Sequence, residues 1–149
     1  MSLSFKYIGD VNPDLKKEIS YFEKWLRKYY EFPNPLEIRL IYKQVLIDFD
    51  GTECALRFWQ NSSGAESVIG EIAVKSFDKN LRDEGEDVAY PTVIAAISRI
   101  LKYYYQMIHN SPIREDYATS WGDKVMNAYI DNEIPPPSRK SKRENLKTS

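Results

Sequence analysis

The residues whose types and spacing offer chemistry gather in one short run, Val45-Leu46-Ile47-Asp48-Phe49-Asp50-Gly51-Thr52-Glu53. Asp48 and Asp50, two residues apart at the end of an apolar run, are paired carboxylates that could serve a reaction. Asp48, Asp50 and Glu53 together also offer a small carboxylate cluster to a divalent cation. The competing reading has no chemistry in it. Asp50-Gly51 between two β-like runs is a hairpin signal, because a tight turn needs positive φ at its central residues. Cys54 and His109, each the only residue of its kind, are a further pair to weigh. Cys54 falls on an inward face, where cysteine behaves as a small hydrophobe. His109 falls in the last turn of a helix, where the dipole favours a cation. Both read as structural. Zinc-ligand spacing, a phosphate-binding glycine loop, a dinucleotide fingerprint and a serine-hydrolase elbow are absent, and no cofactor is expected.

The elements that must position these residues follow from periodicity. Asn12-Pro13 caps a helix in which Leu15, Ile19, Phe22, Leu26 and Tyr29 recur at three- and four-residue spacing. Phe32-Pro33-Asn34-Pro35 stops it, since proline lacks an amide hydrogen and pushes the preceding residue out of the α region. Met1-Ser2-Leu3 is given no functional weight. Leu36, Ile38, Leu40 and Tyr42 alternate with Glu37, Arg39 and Lys43 as in a half-buried strand. Downstream the inward set becomes Val45, Ile47 and Phe49, a parity slip that a bulge or a turn would make. With no Gly, Asn or Pro at Lys43-Gln44, one long bulged strand is preferred.

Beyond Asp50-Gly51, Cys54, Leu56 and Phe58 alternate with Glu53 and Arg57, and after Asn61-Ser62-Ser63-Gly64 come Val68, Ile72 and Val74 against Glu71 and Lys75. A two-residue turn would pair Phe49 with Thr52, Asp48 with Glu53, Ile47 with Cys54 and Val45 with Leu56, placing the apolar residues on one face. An acidic loop, DKNLRDEGED, precedes a second helix from Tyr90-Pro91-Thr92 to about residue 109, with Val93, Ile97, Ile100, Leu101, Tyr104 and Ile108 inward. A third helix is expected at residues 120–131, with Trp121, Val125 and Tyr129 on one side. Ile134-Pro135-Pro136-Pro137 closes the folded part.

At 149 residues, 17.4 kDa, 42% hydrophobic and 29% charged, the chain suits one globular domain. A lone cysteine makes no internal disulfide, and the early Gly, Asp, Asn and Pro leave no apolar core for a signal peptide. The most apolar stretch, residues 93–101, is too short to cross a bilayer. A cytoplasmic protein without membrane contact is therefore expected. Net charge is −1. Residues 138–149 hold Arg139, Lys140, Lys142, Arg143 and Lys147 against Glu144, a tail of +4 that leaves the remainder at about −5. Such a tail suits phosphate contact by counterion release, or serves solubility alone. The tail lacks periodicity and is expected to be disordered.

Four resemblances attach to these residues. The apolar run into Asp48-Phe49-Asp50-Gly51-Thr52 resembles the first motif of the haloacid dehalogenase-like phosphohydrolases. That likeness implies Mg²⁺, Asp48 as nucleophile and Asp50 as general acid. It also implies Thr92 for the hydroxyl, Lys102 or Lys124 for the lysine, and Asp123 in Trp121-Gly122-Asp123 for the metal acid. Its parallel doubly wound sheet is not matched downstream, because Thr92 opens a helix and no β-like run follows Phe77. Asp-x-Asp-Gly is also similar to the calcium loop of an EF-hand, without the flanking helices. Helix, three strands, helix over residues 12–109 is similar in order to double-stranded-RNA-binding domains, but Asp83-Glu84-Gly85-Glu86-Asp87 stands where that family grips phosphates with lysines. Ile47-Asp48-Phe49-Asp50-Gly51-Thr52 is similar to a hairpin motif of small immunity proteins of bacterial toxin systems, which implies an acidic, non-catalytic protein that plugs a basic toxin surface.

The aromatic inventory raises one more surface. Tyr103-Tyr104-Tyr105 spreads rings around most of a helix, and Tyr30 and Trp59 raise the same question. Exposed, these residues would mark an interface; covered by the third helix, they are core. The reading taken is an α+β domain over residues 4–134: an N-terminal helix, an antiparallel three- to four-stranded meander, and two C-terminal helices on one face of the sheet. Its function is expected to be non-enzymatic binding of another protein or its own copy through Tyr30, Trp59, Tyr103 and Tyr105 and an acidic surface. The alternatives are RNA contact through Arg139, Lys140, Lys142 and Arg143, and Mg²⁺-dependent phosphohydrolysis at Asp48.

Overall fold

Asn12 opens the first helix as its type dictates. Its side-chain oxygen accepts from the Asp14 N–H at 2.8 Å, and Pro13 occupies the first helical position, where no amide hydrogen is needed. Helix α1 (Pro13–Tyr29) buries Leu15, Ile19, Phe22 and Leu26 and ends at Tyr30, whose N–H donates to the Leu26 carbonyl. The computed structural model describes residues 3–60, 67–75, 89–108 and 115–135.

An element precedes α1 that the sequence reading passed over. Strand β1 (Leu3–Ile8) runs parallel to β2 (Leu36–Ile41), in register from Leu3 opposite Leu36 to Ile8 opposite Ile41. Parallel neighbours cannot be joined by a tight turn, so α1 is their crossover. Beyond the short strands β3 (Leu46–Ile47) and β4 (Glu53–Cys54) come β5 (Leu56–Gln60) and β6 (Val68–Ala73). Strand β6 pairs parallel with β2 and antiparallel with β5, giving the order β1-β2-β6-β5. The α+β class holds, but the expected antiparallel meander is corrected to a mixed, mostly parallel sheet.

Register sorts the side chains into two faces. Leu3, Phe5 and Tyr7, Leu36, Ile38 and Leu40, Val68, Gly70 and Ile72, and Leu56 and Phe58 line one face and meet the helices. Helix α2 (Ala89–Ile108) approaches so closely that a Cβ on Gly70 would lie 2.6 Å from Cγ2 of Ile100. Helix α3 (Glu115–Ile130) packs on α2 where Gly122 leaves room for Arg99 and the Ala95 carbonyl. Every residue of β6 is buried, Glu71 included, as befits an interior strand covered on both sides. Burial of each large aliphatic side chain in this layer contributes about 1.5–3 kcal/mol.

The long strand expected from Leu36 to Phe49 is broken. The Lys43 N–H donates to the Ile41 carbonyl at 2.8 Å, a three-residue turn that needs no glycine, asparagine or proline. Residues 42–45 thus connect the main sheet to a separate two-stranded one, β3 with β4.

Candidate functional site

The corner at Asp50-Gly51 is a hairpin, with one more loop residue than expected. The Gly51 N–H donates to the Asp48 carbonyl at 2.9 Å and the Asp48 N–H to the Thr52 carbonyl at 2.8 Å, so Phe49, Asp50 and Gly51 form a three-residue loop. Gly51 takes φ +87°, the left-handed position that closes such loops. The carboxylates hold the turn itself. Asp48 Oδ1 accepts from the Phe49 N–H, and Asp50 Oδ1 accepts from the Thr52 hydroxyl at 2.6 Å and the Thr52 N–H at 3.0 Å. The Thr52 hydroxyl, helped by that N–H, holds the Asp50 carboxyl below its ordinary value of 3.8. An aspartate kept ionised in this way is a poor proton donor.

The extra loop residue shifts the register by one, pairing Leu46 with Cys54 and Ile47 with Glu53 in place of Ile47 with Cys54. A one-residue slip moves each side chain to the other face. Leu46 is therefore the buried residue, packed with Ile41, Ala73 and Cys54. Val45, Ile47 and Phe49, expected inward, are 44%, 54% and 72% exposed.

The hairpin sits on the sheet face away from the helices, and that face carries a ladder of alternating charge. Lys6 pairs with Glu37 at 3.0 Å, Glu37 with Arg39, Arg39 with Glu71 at 3.2 Å, and Glu71 with Arg57 at 2.6 Å. Strand register dictates this: Arg39 and Arg57 stand opposite Glu71 from either side. The Glu71 side chain is only 6% exposed, so its two guanidinium partners are what keep a carboxylate tolerable there. Arg57 also clamps the hairpin. Its Nη1 donates to the Ile47 carbonyl, and its guanidinium lies over Phe49 and Trp59, whose rings meet edge-on at 5.5 Å.

Of the aromatic residues expected at a surface, Trp59 alone lies on this face, half-buried beneath Phe49 and Arg57. Tyr30, Tyr103 and Tyr105 are buried, which corrects the expectation of a contact patch there. Tyr103 stacks on Phe58 at 4.6 Å, and Tyr105 meets Tyr30 and Trp121 of α3. The Tyr105 hydroxyl donates to the Glu31 carbonyl, and Tyr104 bonds both backbone groups of Asn34, so these rings anchor the link from α1 to β2. Desolvation by burial pushes the Tyr30 and Tyr105 hydroxyls above the ordinary range.

Among the described residues, those carried over from the phosphohydrolase motif onto the helices do not join Asp48 and Asp50. Lys102 lies over the Trp121 ring, and Asp123 and Lys124 are exposed on α3, in the helix layer across the sheet from Asp48. Glu53 is exposed on β4. Cys54 is half-buried, and burial pushes its thiol up. The Thr92 side chain, His109, the acidic loop, and Arg139, Lys140, Lys142, Arg143 and Lys147 lie outside the described residues. Among the described residues, no group of three or more His, Cys, Asp or Glu side chains could hold a metal ion, and no helix is long and apolar enough to cross a membrane.

No protein-family model, curated protein or solved structure matches the chain.

Sequence reasoning missed Val45, Ile47 and Phe49 as surface and the ladder of Glu37, Arg39, Arg57 and Glu71 as a network. The signal for the ladder was present, since these charges fall at alternate positions of β2, β5 and β6. Their partners depended on a strand order that alternation does not encode.

Proposed function

We propose that this chain is a non-enzymatic binding protein that meets another protein chain through the hairpin side of its sheet. The observation that carries this is the row Val45, Ile47 and Phe49. These are three large apolar side chains turned to solvent by a hairpin pinned through Arg57 and the Leu46 cluster. Single exposed apolar residues are ordinary, but a row of them on a rigid support marks an interaction site. Asp48, Asp50 and Glu53 supply the acidic rim, and Trp59 is the aromatic support underneath. The aromatic and acidic character expected from the sequence is kept, with Phe49 and Trp59 in place of the buried tyrosines.

Affinity capture from native extract, comparing wild type with the Ile47→Ser/Phe49→Ser double variant, tests the reading. Both side chains are largely exposed, so the variant keeps the wild-type circular dichroism spectrum and its unfolding midpoint falls only by the loss of the Phe49 contact with Trp59 and Arg57. The expected result is a protein retained by wild type and lost by the variant. Equal retention by both overturns the proposed surface, and Mg²⁺-dependent phosphate release lost in Asp48→Asn overturns the non-enzymatic reading.

A further inference from the structure

The exposed row has a different charge at each end. At the hairpin tip stand Asp48, Asp50 and Glu53, with Glu53 directly across from Ile47. At its base stand Lys43, which is exposed, and Lys75, whose ammonium lies 4.7 Å from the centre of the Tyr42 ring. The Lys75 N–H donates to the Lys43 carbonyl at 3.1 Å, which holds these two cationic residues side by side. Val45 and Ile47, both exposed, run between the two ends, with Tyr42 beside the base lysines and Phe49 in the tip loop between Asp48 and Asp50, the Arg57 guanidinium over its ring.

A surface with an apolar middle and opposite charges at its ends is complementary to itself when turned through a two-fold axis. We infer that the occupant of this surface is a second copy of the chain, docked antiparallel, with apolar row on apolar row and the tip acids of each copy against the base lysines of the other. This rests on the reading above and names the partner within it. A foreign partner would have to reproduce the same pair of opposed ends, whereas the copy supplies both through one symmetric contact.

Size sets the expected strength. Four partly exposed side chains make a small patch, well below the roughly 800 Å² that a stable interface takes from each partner. The dimer is therefore expected to be weak and salt-sensitive, because its charged ends remain near water.

Charge reversal tests the arrangement in a way that loss of folding cannot imitate. Lys43→Glu and Glu53→Lys change side chains only and keep the backbone hydrogen bonds of the turns, and each alone sets like charges together twice in its own dimer. Mixed in equal amounts, the two variants restore an attractive contact at both ends. Sedimentation equilibrium, up to about 0.5 mM to reach a small interface, should show wild type moving from 17.4 kDa toward twice that mass. Each variant alone should associate at least about tenfold more weakly, and the mixture should recover wild-type association. A wild type that stays monomeric, or a mixture no stronger than its components, overturns the proposal. In that event, capture of a different protein lost in Ile47→Ser/Phe49→Ser leaves the contact surface standing without the copy, and capture that the variant does not change removes both.

Discussion

Glu71 shows what a single residue does in this fold. It is an interior-strand carboxylate accepting from Arg57 and Arg39, and Arg39 also engages Glu37, which pairs in turn with Lys6. Glu71→Ala leaves two guanidinium groups facing a buried gap. Both reach water, so the loss falls below that of a fully buried pair, at about 2 kcal/mol, read as a lower urea midpoint. Glu37 gives the pH dependence. Burial raises its carboxyl, but hydrogen bonds and charge from Arg39 and Lys6 outweigh this and hold it below its ordinary value of 4.5. A depressed carboxylate contributes stability that is complete above its unfolded value and is lost as pH falls through the folded one. Wild type should therefore lose its thermal-stability advantage over Glu37→Gln as the solution is acidified below the ordinary glutamate range, whereas equal melting differences at neutral and acid pH contradict the pairing. Two glycines separate backbone strain from packing. Gly51→Ala meets open space but must adopt φ +87° and costs about 1 kcal/mol. Gly70→Ala meets Ile100 and costs about 1–3 kcal/mol by overpacking. Unfolding measured in parallel on both tells the mechanisms apart, because Ile100→Ala, which removes the Cγ2 and Cδ1 atoms in the way, should offset part of the second cost and leave the first unchanged.

Among the elements, the helices were the most legible in the sequence. Asn12-Pro13 opens α1 as its chemistry requires, and Asn12→Ala should cost about 1 kcal/mol, a fall of a few degrees in Tm. The spacing that placed Val93, Ile97, Ile100, Leu101 and Tyr104 inward on α2 is matched by their burial, and Trp121 and Val125 lie buried on α3 as its shorter pattern required. The strands were half legible. Alternation located β2, β5 and β6 but is blind to the direction of a neighbour, so a parallel pairing looked like an antiparallel one. Strand β1 carries the same alternation, Leu3, Phe5 and Tyr7 against Ser4, Lys6 and Ile8, but it spans only six residues and its outward side includes an isoleucine, so it stands out less than the helix cap beyond it. The hairpin was found and misregistered, since Asp-Gly serves both a two-residue turn and a three-residue loop with glycine last. That single residue decided which side chains form the candidate surface.

At the scale of the whole molecule, one sheet separates two kinds of packing. The helix side is apolar and aromatic, with Phe22, Trp25, Tyr30, Tyr104, Tyr105 and Trp121 linked ring to ring. The other side is a charged ladder with a small hairpin laid across one end. Rings that looked available in sequence are the mortar of the first side. Apolar residues that looked like core are the outward row of the second. A contact made by that row should leave the helix side untouched. Hydrogen exchange across a concentration series examines this directly, because each backbone amide reports its own protection. Dimerisation through the row predicts that protection rises with concentration in residues 42–53 and stays constant in α1, α2 and α3. Protection that rises on the helices, or does not change with concentration in residues 42–53, contradicts it.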